Sequence, residues 1–464
     1  MIKLSTKELA DIFSARLIGA DNICVESVST DTRKSCLRSL FFALKGESFD
    51  AHDYLAQAVE QGCSAVVVER ECNIDVPQLI VPDTRLALGQ LAKWLRVKIN
   101  PKTIAITGSS GKTTVKEMTA SILQKVAQDP DAVLFTQGNF NNDIGVPLTL
   151  LRLESKHKFA VIELGANHQG EIAYTVDLVQ PDVALVNNVA AAHLEGFGSV
   201  EGVAQAKGEI YQGLSENGIA IMEYEHSVRY QKKYWYEQIG NADTRLFSVM
   251  GKVSDYYAQE IKLTETGSQF TLCCIREGEI KINLPYLGLH NVSNAVAAAS
   301  LALCLGVSLE QIKAGLEKKS YVKGRLFPIE PCPNLLLLDD TYNANVSSLK
   351  SAIDVLRQYD KFFRIFAVGD MAELGENSVS CHKQVADFAQ MENLDLVVSF
   401  GTQSAVISDA CDGVHFSDKT ELVNYIIPII QQKLAGQKVV LLVKGARCMQ
   451  MEDVINLVKD KFQC

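Results

Sequence analysis

The chain has 464 residues, 47% of them hydrophobic and 22% charged, which suits about three globular domains whose cores need no covalent staples. A formal net charge of -10 and a pI near 5.4 argue against a nucleic-acid partner, because no basic field dominates; a locally basic pocket for a small anion stays open. Twelve scattered cysteines without a C-x-x-C pair, a charged N-terminus (Lys3, Lys7, Glu8, Asp11) and a longest apolar stretch of only 295–307 predict a cytoplasmic chain with reduced thiols and no membrane insertion.

Residues 1–83 predict a small N-terminal α/β domain. Ser5-Thr6 opens a helix, and LFFALKG (40–46) and SAVVVE (64–69) read as strands around a helix at 51–62. Pro82-Asp83-Thr84 marks the first boundary. Residues 84–316 predict a central α/β domain. TIAITG (103–108), FAVIELG (159–165), DVALVNNV (182–189) and GIAIM (218–222) are continuous apolar runs, as parallel strands buried on both faces require. TLCCI and IKINLPY add an antiparallel pair, and the apolar run 295–307 is a core helix. Residues 317–464 repeat the alternation through LLLLDD (335–340), RIFAVGD (364–370), LDLVVSF (394–400) and KVVLLVKG (438–445). The expected fold class is therefore α/β in three domains, the central one a P-loop mononucleotide-binding domain and the last one Rossmann-like.

The chemistry gathers at predicted strand ends. TGSSGKTT (107–114) lies between a strand and a helix. The backbone of Gly108, Ser109, Ser110 and Gly111 is suited to cradle phosphates at a helix N-terminus. Lys112 would meet the phosphates, and the Thr113 hydroxyl, followed by Thr114, would face Mg2+. Ile106 stands where the longer P-loop pattern has glycine, so the loop is a shortened one; a plain glycine turn is the competing reading. Glu163 at a strand tip is an oxygen ligand for Mg2+. GNFNNDIGVPLTLL (138–151) brings Asn139, Asn141 and Asn142 together, or is simply a polar loop. His193 follows a strand and Lys207 lies on the next helix; by spacing alone both read as structural or solvated. Asn291 and Asn294 open a helix with amides that can pair with a purine edge or serve as caps. Arg325 in KGR is a candidate to neutralise a transferring phosphoryl group. Asp339, Tyr342 and Asn343 in DDTYNANVSS are placed for a ribose or base, and Lys444 and Arg447 for a substrate carboxylate.

Taken together, these stretches resemble the Mur ligase family, three-domain enzymes of peptidoglycan precursor synthesis. The resemblance runs from STDTR (29–33) and ALKGESFDAHDY (43–54) through GSSGKTT, ELGANHQGEI, AHLEGFGS, HNVSNA and KGR to DDTYNAN, GDMAELGE (369–376) and VKGARCMQME. It implies an ATP-dependent amide ligase that adds D-alanyl-D-alanine to UDP-N-acetylmuramoyl-tripeptide through an acyl-phosphate, with ATP and Mg2+ as cofactors. It implies that Thr30 and the Lys45-Gly46-Glu47 loop belong to the UDP-substrate region, with Asn139 and Asn142 as further substrate contacts. Thr113 and Glu163 match magnesium ligands, and His193 a residue near a second metal. Lys207 aligns with a lysine carbamylated in several members. Asn291 and Asn294 match the adenine contact; Arg325, Asp339 and Asn343 match residues that close over ATP. The expected assembly is a monomer whose third domain swings about a hinge at 314–324. Leu37-Arg38, Val346, Ala446 and Cys448 depart from the family pattern.

Overall fold

The computed structural model describes residues 3–46, 48–249, 251, 253–318 and 322–462. Its N-terminal strands are β1 (Leu4–Ser5), β2 (Arg16–Ile18), β3 (Cys24–Val25), β4 (Ser27–Ser29), β5 (Ser39–Phe42), β6 (Ala65–Val68) and β7 (Gln78–Ile80). β1 pairs with β3, and the others form a sheet in the order β2-β7-β6-β5-β4. Every residue of β5 and β6 is buried, which explains why those two strands were visible as apolar runs. The two- and three-residue strands beside them carry no such run. Ser5 caps the helix Thr6–Phe13 through a capping box with Glu8, satisfying two amides that the first turn would leave orphaned. The helix expected at 51–62 is a 3-10 turn, Ala51–Tyr54, running into an α-helix, Leu55–Glu60.

The central sheet comprises β8 (Lys102–Thr107), β9 (Val133–Phe135), β10 (Phe159–Glu163), β11 (Val183–Val186), β12 (Ile219–Glu223), β13 (Asp243–Ser248), β14 (Tyr256–Thr264), β15 (Gly267–Cys274) and β16 (Gly278–Leu284). Their order is β16-β15-β14-β13-β12-β11-β8-β10-β9. Strands from β9 to β14 are parallel, and β14-β15-β16 is an antiparallel meander. The sequence revealed β15 and β16 but not β13 or β14, whose alternating polar residues interrupt any apolar run. From β8 the chain jumps to the edge strand β9, returns through β10 and crosses to β11 on the other side of β8. β8 is thus the switch point, where ligands of open parallel sheets bind.

The last sheet comprises β17 (Phe327–Cys332), β18 (Leu335–Asp339), β19 (Phe362–Gly369), β20 (Leu396–Phe400), β21 (Val414–Phe416) and β22 (Lys438–Lys444), in the order β17-β18-β22-β19-β20-β21. All neighbours are parallel except β17 with β18. The inserted β22 sets Asp339 level with Val443, so residues 340 and 444 leave the sheet side by side.

The helix Thr84–Ile99 joins the first two sheets. Asp83 caps it. Arg96 donates to the carbonyls of Val179 and Gln180, Lys93 pairs with Asp177, and Arg85 pairs with Asp143. Its buried face, Leu88, Leu91 and Leu95, shares one core with Leu40 and Val67 of the first sheet and Val146 and Val176 of the central region. The stretch expected to act as a hinge, 314–324, begins in the helix Leu309–Leu316; residues 319–321 within it lie outside the described residues. No helix among the described residues is long and apolar enough to cross a membrane.

Candidate active site

The loop after β8 turns into the helix Lys112–Ala127 at Gly111, whose φ of 76° is left-handed. A Cβ at Gly111 would strike the side chains of Asn294 and Asn187, so glycine is required both for the turn and for the close approach. Those amides form a relay: Asn187 donates to the Ser110 carbonyl (3.0 Å) and to Asn294 (3.1 Å), and Asn294 donates to Asn291 (3.1 Å). Asn188 accepts from the Ser110 amide at 2.9 Å, and the Ser109 hydroxyl is bonded to Ala190. The loop's conformation is therefore braced by hydrogen bonds from the protein itself. Among the described residues Lys112 Nζ has one hydrogen-bond partner, the Gly108 carbonyl at 2.7 Å. Burial, and then the Arg325 cation, push its pKa down, while Glu163 opposes them. An ammonium held by a single carbonyl is available to an anion.

Glu163 ends β10 at 2% exposure. Its carboxylate accepts from the Thr113 hydroxyl (3.0 Å) and the Asn141 amide (2.9 Å). Hydroxyl and carboxylate oxygens converging beside a phosphate loop are the donor type that a hard divalent cation takes. Among the described residues no three His, Cys, Asp or Glu side chains cluster as a metal cage. The remaining ligands of such an ion would be water and phosphate oxygens, as is usual for Mg2+.

The last sheet closes this site from above. Arg325 Nη2 donates to Thr113 Oγ1 at 3.4 Å, and its guanidinium lies 4.2 Å from the centroid of the Tyr342 ring. Gly324, at φ 77°, lets its carbonyl accept from the Tyr342 amide at 3.2 Å. A cavity of about 220 Å3 is lined by Lys112, Asn142, Glu163, His193, Arg325 and Asn343 together. A second, of about 440 Å3, continues past Gly111 and Thr114 to Asn291, Asn294, Asp340 and Lys444. Two expectations need correction here. Asp340, not Asp339, faces the cavity; Asp339 is fully buried, with Oδ1 bonded to the amide and hydroxyl of Thr341. Lys444 is not free for a substrate carboxylate. It is 3% exposed and bonded to Asp340 Oδ2 (2.6 Å) and the Asn343 carbonyl (2.9 Å).

Residues 106–302 match the Mur ligase middle domain, and residues 324–447 match the Mur ligase glutamate ligase domain. The chain belongs to the Mur ligase family. It is 62% identical to the UDP-N-acetylmuramoyl-tripeptide--D-alanyl-D-alanine ligase of Haemophilus influenzae and 50% identical to that of Escherichia coli, covering the whole of both chains in each case. Among solved structures, MurF from Acinetobacter baumannii superposes with a TM-score of 0.92 at 38% identity, over 99% of each chain. MurF from Thermotoga maritima in complex with ADP superposes at 0.84 with 25% identity, over 94% of this chain and 98% of that one.

The remaining expected site residues fall into two groups in this Mur ligase. Lys207 belongs with the P-loop. It is 1% exposed, and burial, with the Lys112 ammonium next, pushes its pKa down to about 7 against the pull of Glu171 and Glu209. It is not the solvated helix lysine that spacing alone suggested. His193 lines the smaller cavity, has left-handed backbone (φ 53°) and pairs through Nδ1 with Glu373 of the third sheet's loops. That contact holds the Glu373 carboxyl below its ordinary pKa. Glu373 was quoted in the sequence only as part of GDMAELGE, and nothing local marks it. Thr30, Lys45, Gly46 and Asn139 do not line either cavity around the P-loop. Lys45 forms an isolated antiparallel backbone bridge with Asp50, and Glu47 of the same loop lies outside the described residues. Asn142 does line the cavity, and its Oδ1 accepts from the Gly145 amide. Of the departures, Arg38 takes a left-handed φ of 54°, Ala446 is buried and Cys448 is exposed. Arg447, a candidate for a substrate carboxylate, pairs with Glu452 at the surface.

Proposed function

We infer that this Mur ligase uses ATP to join D-alanyl-D-alanine to UDP-N-acetylmuramoyl-tripeptide, forming UDP-N-acetylmuramoyl-pentapeptide, ADP and phosphate in peptidoglycan precursor synthesis. The observation that carries this reading is the 62% identity to the Haemophilus influenzae ligase across the full length of both chains. The cavity where Lys112, Glu163 and Arg325 converge supports it.

The tripeptide carboxylate oxygen bonds to the γ-phosphorus as the bond to ADP breaks, giving an acyl-phosphate. The D-alanyl-D-alanine amine then attacks the acyl carbon, loses a proton, and phosphate leaves. Phosphoryl transfer depends on positioning and charge neutralisation. The amides of Gly108 to Thr114 and the Lys112 and Arg325 cations supply these here. Thr113 and Glu163 would hold Mg2+, which neutralises phosphate charge when bound. Lys207 would join them as a carbamate, since burial favours the neutral amine that carbon dioxide requires. His193, which lines the same cavity as Lys112, would take the ammonium proton. Asn291 and Asn294 would meet the adenine, with Asp340 and Asn343 near the ribose. We assign residues 1–83, with Thr30, Lys45, Gly46, Asn139 and Asn142, to the UDP-substrate; 84–316 to ATP; and 317–464 to closure and the incoming dipeptide. We further propose a cytoplasmic monomer.

Phosphate release over a panel of UDP-muramoyl peptides, with and without D-alanyl-D-alanine, tests the reading. Release should require ATP, Mg2+, a UDP-tripeptide and the dipeptide together. Release that ignores the dipeptide would overturn it.

A further inference from the structure

The loop that follows β19 is anchored at its base more firmly than its length requires. The Asp370 carboxylate accepts from the amides of Thr402, Gln403 and Ser404 at 2.8–3.1 Å, and its carbonyl accepts from the Ala446 amide at 2.9 Å. The Met371 amide donates to Nε2 of His382, a fully buried ring whose Nδ1 faces the Ser378 carbonyl at 2.8 Å. Met371 and Leu374 are buried on either side of the loop's tip. At the tip the backbone reverses at Glu373, whose φ of 59° is left-handed for a non-glycine residue. A backbone conformation of this kind persists only when its surroundings hold it.

The tip reaches the central domain twice. The Glu373 carbonyl accepts from the Glu195 amide at 3.2 Å, and the Glu373 carboxylate pairs with His193 Nδ1. Nδ1 faces the third domain, while His193 lines the cavity that holds Lys112 and Arg325. The ring's orientation is thus shared between two domains.

We propose that Glu373 is a positioning residue: it latches the third domain onto the central one and orients His193 only in the closed arrangement. The proposal rests on the ligase reading above. Without the latch, Arg325 and His193 visit their working positions rarely, while the first domain still holds the UDP-substrate. Glu373→Gln and Glu373→Ala should therefore lower kcat about 10- to 100-fold, with the KM for UDP-tripeptide changed less than about twofold. Glu373→Asp should recover part of kcat. Hydrogen exchange at 194–198, in the central domain, should speed up in the Ala variant with ATP and UDP-tripeptide bound. A fault confined to the third domain's own loop would not reach that segment. Wild-type protein is assayed first: if it lacks dipeptide-dependent phosphate release, the ligase reading fails. If wild type turns over and both Gln and Ala variants keep its kcat and its exchange at 194–198, the latch is overturned.

Discussion

Two lysines stand at the tips of two parallel sheets, and they are built for opposite purposes. Lys112, after β8, donates to a single carbonyl among the described residues and opens on a cavity. Lys444, ending β22, is bonded to the Asp340 carboxylate and the Asn343 carbonyl. Burial pushes both pKa values down, but Lys444 has a carboxylate in contact to offset it, and Glu163 acts on Lys112 without bonding it. The central rim leaves its charge for a ligand, whereas the third-domain rim spends its charge on holding a loop. Activity and stability should separate accordingly.

The largest effect tests the first half of that contrast. Lys112→Ala should lower phosphate release by about 1,000-fold or more, because a preorganised cation is lost where transition-state charge develops. Its unfolding free energy should fall by no more than about 1.5 kcal/mol, the worth of the hydrogen bond to the Gly108 carbonyl. A near-normal rate would remove Lys112 from the phosphate site. Lys444→Met tests the other half. Leaving Asp340 buried and unpaired should cost about 3–5 kcal/mol in denaturant titration, and the further change Asp340→Leu should restore most of it. Unchanged stability in Lys444→Met would erase the distinction between the two rims.

Arg325→Ala probes the group that crosses between them. It should slow turnover about 100-fold while changing the KM for UDP-tripeptide less than about twofold. Equal damage to both would mean that Arg325 helps hold the sugar nucleotide. The smallest effect concerns His290, which lines the cavity beside Lys444. Burial, and then the Lys444 ammonium, push its pKa down to about 4. The unfolded chain binds this proton below about pH 6.5, but the folded chain resists it until about pH 4. Stability from this group is complete above about pH 6.5 and declines as pH falls through that window. His290→Gln should flatten the decline, and an unaltered pH profile would remove His290 from the account.

The same contrast explains what the sequence disclosed. The phosphate loop is contiguous: glycine, lysine and threonine sit between an apolar strand and a helix, so its chemistry was readable at 107–114. The third-domain rim is assembled from β18, β22 and the loop after β19. Two adjacent acids end β18, and alternation places them on opposite sides. Only the parallel register with β22, which brings Lys444 level with Asp340, decides which one meets the cavity. Asp339 is therefore the fully buried member of the pair, and Asp340 the one that lines the cavity. Glu373 lay further out of reach, because its partner is 180 residues earlier in the chain. Strands buried on both faces, such as β5, β6, β8 and β22, were legible as apolar runs. β9 and β21, with three residues each, and the partly polar β13 and β14 were not.

The helix Thr84–Ile99 has a consequence beyond joining two sheets. Its lysine and arginines are tied to the central region, and its leucines share a core with the first sheet. Cutting the chain before Thr84 would leave the first sheet without its apolar floor, while the helix and its charged ties stay with the central region. The first two sheets are therefore expected to lose structure together, and a fragment ending at Asp83 should be unstable; circular dichroism of residues 1–83 alone checks this.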